Sequence, residues 1–534
     1  MITDFADVDP GATLRADICI VGAGAAGITL ARAFAGGRSS VLLLESGGLE
    51  YEEETQALYD GQCTGTPHGY LVAGRLRFFG GTTNHWSGRC APLDPVDFEV
   101  REWVPFSGWP ITHRDLDPYY DGARAVCGLP VGIEPWAVLN EFGIEPPACD
   151  PDRLRTQIWQ QSAPVRFGTA YRRELQDAEN VRVLLHANVV RLASDDGALV
   201  DHVDVRSLGG ATARVEAQVY ILCCGAIENA RVLLNSTTAG GVALGNRYDL
   251  VGRFYTEHGR TRTGVLVTDR SAFLQTVYNN RFRADGAHYE IGVALGEAAQ
   301  REARALNASA VFEYHGDPES GVTAGREIWR ELQRGHWADD LGEKLWRVAR
   351  DLDDVIDSLR RRVVEGLPTA MPLAYAVLRT DIEQAPNPDS RVTLSDDRDA
   401  LGQRRVHLDW RLTDLDRRTA RVFTRTVLTE FARLGLARGR IEPWLEDDQN
   451  DWTDHVSSTS HQMGTTRMAA DQKQGVVDAS CRVHGTGNLY VAGSSIFPTV
   501  GHANPTLTIV ALALRLADHL KARFALRGAM RAER

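Results

Sequence analysis

The sequence predicts an α/β fold in which one parallel-sheet unit is assembled from separated stretches of chain and interrupted by a second unit of mixed strands and helices. Three observations predict it. A strand, glycine turn, helix and second strand follow one another between residues 17 and 45. Short apolar runs of the same kind return far later in the chain, near 181, 219 and 488. Between them lie stretches of different character: Pro- and Trp-rich over 95–170, charged and helix-prone over 326–365, and strand-like with Pro, Asn and Gly over 374–412.

Taken in order, Asp17–Val21 is apolar and rich in β-branched residues, which suits a strand buried on both faces. Gly22-Ala-Gly24-Ala-Ala-Gly27 follows, and Ile28–Phe34 carries the small and apolar residues of a helix packed closely on a sheet. Val41–Leu44 is the second strand, ending at Glu45. Val181–Leu185 and Val219–Cys223 read as returns to the same sheet, the latter followed by Gly225-Ala226 and a helix through Leu234. Asn488–Ala492 is a further strand, and Pro505 opens an apolar helix through about Leu520, where proline has no intrahelical N–H bond to lose.

The glycine spacing has a mechanical reason. Gly22 permits the tight turn, Gly24 lets a pyrophosphate approach the backbone, and Gly27 lets helix and strand pack closely. The helix start, with Ala25 and Ala26, offers free N–H groups to phosphate. Glu45 lies 18 residues past the last glycine, where an acid takes a ribose hydroxyl pair and Ser46 follows it. These features predict a dinucleotide site and do not by themselves separate FAD from NAD.

Composition narrows the classes. The chain has 534 residues, 43% hydrophobic and 24% charged, with a formal net charge of −12. That length suggests two or three structural units, and the acidic balance argues against nucleic acid and anionic lipid. No stretch reaches the roughly 20 apolar residues of a membrane span. The first residues carry acids and no apolar core, so no secretory signal is expected and a cytoplasmic location is. Cys19, Cys63, Cys90, Cys127, Cys149, Cys223, Cys224 and Cys481 show neither CxxC nor zinc spacing and read as isolated thiols. No metal site is expected.

Five further motifs carry a resemblance. Gly80-Gly-Thr-Thr-Asn-His85-Trp-Ser87-Gly-Arg89, His186-Ala-Asn-Val189 with Cys224-Gly-Ala-Ile-Glu228, His461-Gln-Met-Gly464-Thr-Thr-Arg467-Met, Asn488–Thr499 and Gly501-His-Ala-Asn504-Pro-Thr-Leu-Thr stand in order along the chain. Together they resemble glucose–methanol–choline (GMC) oxidoreductases, in particular the pyranose 2-oxidase-like branch with its bacterial sugar and glycoside oxidoreductases. The resemblance spans nearly the whole chain and is weakest over 265–375. It implies a Rossmann-like FAD-binding domain from residues 12–92, 171–262 and 466–525, and a substrate-binding domain from 93–170 and 263–465.

By that resemblance FAD is the cofactor. Val189 would hold adenine through its backbone, and Gly225 and Ala226 would sit near adenosine and pyrophosphate. The loop with Gly81, Thr82 and Asn84 would run beside the isoalloxazine ring, with Trp86 and Ser87 near its reactive edge. His85 would either be covalently joined to the flavin or only pack on it; Asn84 departs from the Thr-His-Trp form of tethered relatives. Ala492-Gly493-Ser494 stands where several family members carry an acid near the flavin phosphates, so backbone N–H groups would serve there. Pro505 and Thr506 open a helix whose dipole would favour the reduced, anionic flavin.

Alcohol oxidation needs a base for the hydroxyl proton and an acceptor for the hydride. The resemblance places His461 as the base and Asn504 as the donor that steadies the developing alkoxide. His502 is read as structural, His258 as scaffold, and His484 and His519 as ordinary polar positions. Glu383 and Gln384 are either substrate contacts or turn residues, and 346–362 is read as a solvated helix face. The function expected is oxidation of a sugar, glycoside or polyol hydroxyl. Its electrons would go to oxygen, a quinone or another acceptor, and association into a homo-oligomer stays open. A flavin-containing lyase without redox turnover is the alternative, and a non-catalytic nucleotide-binding module the third reading.

Overall fold

The computed structural model describes residues 1–67, 69, 71–133, 135–163, 165–283, 285–363, 370–447 and 451–532. The architecture is mixed α/β, with three sheets. The first has eight strands, in the order Ile2–Asp4, Val181–Leu185, Val41–Leu44, Ala12–Val21, Thr212–Leu222, His202–Arg206 and Asn188–Ala193. The eighth, Leu489–Val491, runs parallel to the end of Thr212–Leu222, registering Ile221 with Tyr490. The parallel core is therefore drawn from five distant stretches of sequence. Ile18 to Val21 are at most 5% exposed because this central strand is covered on both faces, and so its sequence does not alternate.

The helix Ala25–Phe34 leaves the sheet at the glycine turn and packs on the carboxy-terminal helix Thr506–Ala532. Gly27 sets how closely helix and turn approach, since a Cβ there would lie 1.9 Å from the Gly22 carbonyl oxygen. The final helix runs past the expected Leu520, because the polar stretch after the apolar part continues the same hydrogen-bond pattern. Pro505 precedes it, and its carbonyl accepts from Ile509 N–H at 2.9 Å.

The second sheet has nine antiparallel strands. Its main path is Arg438–Ile441, Gly259–Val267, Leu373–Ile382, Ala308–Gly316, His288–Leu295, Leu154–Gln161 and Arg89–Cys90. Alternation along these strands sorts the side chains. Leu378, Ile291, Val293 and Phe312 face the long helix Asp414–Arg433 and join Phe423, Val427 and Phe431 in a core of their own. The opposite face presents Arg260, Asp381, Arg379, Glu290 and Gln161. A three-stranded sheet, Arg391–Arg398, Arg404–Trp410 and Gly61–Gly65, pairs with neither but joins the main core through Val392, Val406, Leu408 and Trp410.

The charged stretch after 320 forms the helices Gly321–Gln333, Leu341–Arg350 and Leu352–Val363. Their outer side is less polar than a solvated face: Trp329, Trp346, Ile356 and Leu359 are all more than half exposed. No helix among the described residues is long and apolar enough to cross a membrane.

Candidate active site

One large cavity, about 590 Å³, runs from the glycine turn to the start of the final helix. Its far end is built by the nine-stranded sheet. At the near end the turn itself is shaped by close backbone contacts. Gly22 has φ of +100°, and a Cβ there would lie 2.8 Å from the Cys223 carbonyl oxygen. By contrast, a Cβ on Gly24, Gly225 or Gly493 would meet no protein atom within 4 Å. All three border the cavity, so each leaves backbone open to an approaching ligand. Ala25, Ala26 and Ala226 line the same region.

Glu45 ends its strand inside this wall and is 5% exposed. Its carboxylate accepts from the N–H groups of Ala23 at 2.8 Å and Gly47 at 3.1 Å, which fixes it beside the turn. Ser46 and Val189 border the cavity nearby. Arg77, which sequence reasoning did not single out, also lines it; Glu228 holds its guanidinium at 3.2 Å. This donor set of open glycine backbone, helix N-termini and one fixed carboxylate fits the phosphates and ribose of FAD.

The middle of the cavity is bordered by Gly81, Thr82, His85, Trp86 and Ser87. Gly80, at φ of +100°, turns the chain into this loop. Trp86 Nε1 donates to the Val165 carbonyl at 3.0 Å, and Arg166 donates to the Trp86 carbonyl at 2.6 Å, so the loop is held from behind. Burial lowers the His85 pKa, which keeps its ring neutral. Two residues expected at the cofactor stand off the wall. Gly27 serves helix packing, and Asn84 turns its amide back to the Phe79 carbonyl at 2.8 Å.

His461 and Asn504 meet at the far end, with Asn504 Nδ2 3.1 Å from His461 Nε2. Their neighbours fix the imidazole tautomer. Thr459 donates its hydroxyl to the His258 carbonyl at 3.1 Å, so its oxygen can only accept from His461 Nδ1, 3.0 Å away. His258 Nε2 reaches the Val500 carbonyl at 3.4 Å, which leaves His258 Nδ1 as a second acceptor, 3.0 Å from His461 Nδ1. We therefore assign the proton to His461 Nδ1 and the lone pair to Nε2, on the Asn504 side. Burial, followed by the nearby His258, pushes the His461 pKa down to about 3. His258, read from the sequence as scaffold, is thus a direct partner of His461.

The other histidines and acids fall elsewhere. His502 is buried behind the cavity in a charged cluster, with Nε2 3.3 Å from Arg155 and 3.4 Å from Asp94. Gly501 is required beside it, since a Cβ there would lie 2.2 Å from Asp97 Oδ2. His484 bonds to the Ala469 carbonyl and His519 packs on Tyr490. Glu383 is fully buried in a two-bonded pair with Arg101, at 2.8 and 2.5 Å. Gln384 accepts from Glu257 N–H and Trp410 Nε1. Both are structural. Glu383→Gln leaves Arg101 as a buried, poorly compensated charge and is expected to cost about 3–5 kcal/mol of stability. Urea unfolding of the purified variant measures it.

Sequence reasoning missed the far wall: Arg89, Gln161, Arg260, Glu290 and Arg379 all border the cavity. Asp381 holds Arg260 at 2.7 Å and Arg89 at 3.0 Å, and the two guanidinium groups drive its pKa well below the usual carboxylate range. Arg89 closes the Gly80–Arg89 motif, but nothing in the local sequence marks the other four, because each is a polar residue within a longer strand. Among the described residues, no group of three His, Cys, Asp or Glu is placed to hold a metal ion.

Comparisons with known proteins agree with this architecture. Residues 17–239 match the FAD dependent oxidoreductase family, and residues 386–513 match the GMC oxidoreductase family. The chain is similar to 6'''-hydroxyparomomycin C oxidase of Streptomyces lividus, 26% identical over 96% of this chain and 94% of that one. It is 23% identical to the fructose dehydrogenase large subunit of Gluconobacter japonicus, over 95% and 98% of the two chains. A shorter match, 36% identical over 24% of each chain, is to C-glycoside 3-oxidase of Microbacterium trichothecenolyticum. Among solved structures, a fungal aryl-alcohol oxidase superposes with a TM-score of 0.57 at 17% identity, covering 96% of this chain and 99% of that one. The fold is that of GMC oxidoreductases, and the chain joins an FAD dependent oxidoreductase segment to a GMC oxidoreductase segment.

Proposed function

We propose that this GMC-type, FAD-dependent oxidoreductase converts a hydroxyl of a sugar, glycoside or polyol to the carbonyl, with His461 as base. The observation that carries the reading is the 3.1 Å contact of Asn504 with the unprotonated nitrogen of His461 at the cavity wall, made by residues 43 apart in sequence. FAD bound along the cavity supplies the hydride acceptor. Every other step belongs to the chain.

The Gly22–Gly24 turn, the start of the Ala25–Phe34 helix and the Gly225–Ala226 backbone would hold the phosphates. Glu45 would take the ribose hydroxyls, and Val189 the adenine. The Gly81–Ser87 loop and Gly493 with the Pro505–Thr506 helix start would hold the flavin. At the reacting end, His461 Nε2 accepts the hydroxyl proton while Thr459 and His258 hold the ring in place. Asn504 Nδ2 donates to the oxygen as charge develops on it. The sheet wall, with three arginines set against Glu290 and Asp381, suits hydroxyl groups better than a polycation. The division into a FAD-binding part (12–92, 171–262, 466–525) and a substrate-binding part (93–170, 263–465) fits this arrangement. The eight cysteines, all free, support a reducing, cytoplasmic setting.

The test is an anaerobic titration of the purified flavoprotein with sugars, glycosides and simple alcohols. Loss of the oxidised flavin absorbance with a hydroxylated compound supports the reading; a flavin that none of them reduces puts the lyase alternative in its place. Air admitted afterwards tells oxygen from a quinone or other acceptor. Flavin fluorescence that stays with the chain after acid denaturation in the wild type and is released in His85→Ala assigns a tether at His85; release from the wild type assigns His85 to packing.

The lowered His461 pKa sets a pH profile. Its neutral form is the base and is populated above about 3. The rate of flavin reduction is therefore expected to stay flat from neutral pH well below 6.5, the ordinary histidine value, and to fall only as pH nears that lower limit. An acid limb centred near 6.5 in stopped-flow measurements rules out the buried, neutral base.

A further inference from the structure

The nine-stranded sheet splits beside the active site. Strands His288–Leu295 and Ala308–Gly316 are eight and nine residues long but pair at two positions only, Val293 with Ala310 and Ala294 with Ser309. Toward the start of the first strand, the short strand Asn280–Phe282 takes over its edge, registering Asn280 with Glu290 and Phe282 with His288. The second strand instead stays with Leu373–Ile382 as far as Gly316. The two ladders diverge and leave a wedge. Gly292 marks its apex, where a Cβ would lie 2.3 Å from the Ala310 carbonyl oxygen.

A cavity of about 180 Å³ occupies the wedge. It is lined by Glu290 and Ile291 on one strand and by Val311 and Phe312 on the other. Consecutive strand residues point to opposite faces, so a lining that includes both of each pair passes through the sheet. Buried Tyr278, Asn279 and the exposed Asn280 complete the lining. Glu290 and Arg379 stand at its inner end and border the large cavity as well. Arg379 is held loosely there. Glu290 and Glu313 lie 4.0 and 3.7 Å away, and no hydrogen bond from its guanidinium is made among the described residues. Its guanidinium, a group with N–H donors and no acceptor, thus borders both cavities without a close partner.

We propose that the wedge is a second subsite for the substrate, and that the chain acts on glycosides rather than on free monosaccharides alone. The sugar ring that is oxidised lies against Glu290 and Arg379, and the ring joined to it enters the wedge. Mixed walls fit such a group: Tyr278 and Phe312 are aromatic, while Arg379 and the Asn280 amide nitrogen, whose oxygen is held by His288 at 3.0 Å, offer donors for hydroxyls. The inference rests on the sugar-oxidising reading of the same site.

Flavin reduction by glucose, methyl glucoside and phenyl glucoside, under anaerobic conditions, tests it. Asn280 is exposed, so Asn280→Trp fills the outer wedge at a distance from His461 and Asn504. The wild type is expected to favour phenyl glucoside over glucose by about 10-fold or more in kcat/KM, and Asn280→Trp to abolish that preference through KM for phenyl glucoside alone. Arg379→Met is expected to raise KM for all three about 10-fold or more with kcat nearly unchanged. Asn280→Lys repeats the test should the tryptophan variant fail to fold. No preference in the wild type, or a loss shared equally by all three sugars in the position-280 variants, overturns the second subsite while sugar oxidation stands. A flavin reduced by no sugar overturns the functional reading itself.

Discussion

His461→Ala is expected to slow flavin reduction by about 10²–10⁴-fold while leaving the flavin content and the fold unchanged. The size follows from what is removed. Hydride cannot leave carbon readily while the hydroxyl keeps its proton, and His461 Nε2 is the lone pair set beside Asn504 to take it. Neither Thr459 nor His258 can substitute, because both address the Nδ1 side of the ring. Asn504→Ala removes a donor to the oxygen and no proton acceptor, so a smaller loss, about 10-fold or somewhat more, is expected. Single-turnover reduction under saturating substrate separates these effects from binding. A His461→Ala variant that reduces its flavin within a few-fold of wild type ends the assignment of the base.

The second large effect concerns the cofactor. Gly24→Val is expected to purify folded and without FAD, with affinity weakened about 100-fold or more (about 2.7 kcal/mol or more). Gly24 has an ordinary φ of −86°, so a side chain there brings no backbone strain. It would also meet no protein atom within 4 Å. The room it fills is therefore room for ligand, and loss of flavin from a folded variant reports on the approach to that backbone. Gly22→Val is the contrasting case. There φ is +100° and the Cys223 carbonyl blocks the position, so that variant loses stability as well as flavin. Thermal unfolding alongside flavin content distinguishes the two. Retention of normal FAD by Gly24→Val refutes the phosphate site.

Much of this molecule is legible from local sequence. Val41–Leu44 and Val181–Leu185 have the bounds their apolar runs imply. Such strands are covered on both faces and run almost wholly apolar, Arg182 being the half-buried exception. Helix ends were harder to read, as the carboxy-terminal helix shows: once an apolar stretch has nucleated, polar residues extend it at little cost.

The sequence by itself determined several of the parallel strands and the glycine turn, because each is marked within its own short segment, by a buried apolar run or by glycine spacing. Only the tertiary structure decided what surrounds His461. Its tautomer depends on His258, about two hundred residues away, and on the main chain at Val500. The same is true of Glu383, whose place in a turn allowed a substrate contact until Arg101 was found against it. The far wall was likewise invisible. Arg379 and Glu290 are polar residues on separate strands, and the wedge they border exists only because His288–Leu295 and Ala308–Gly316 pair briefly and then part. Pairing over long separations is set by the sum of many packing choices, and no short segment records that sum.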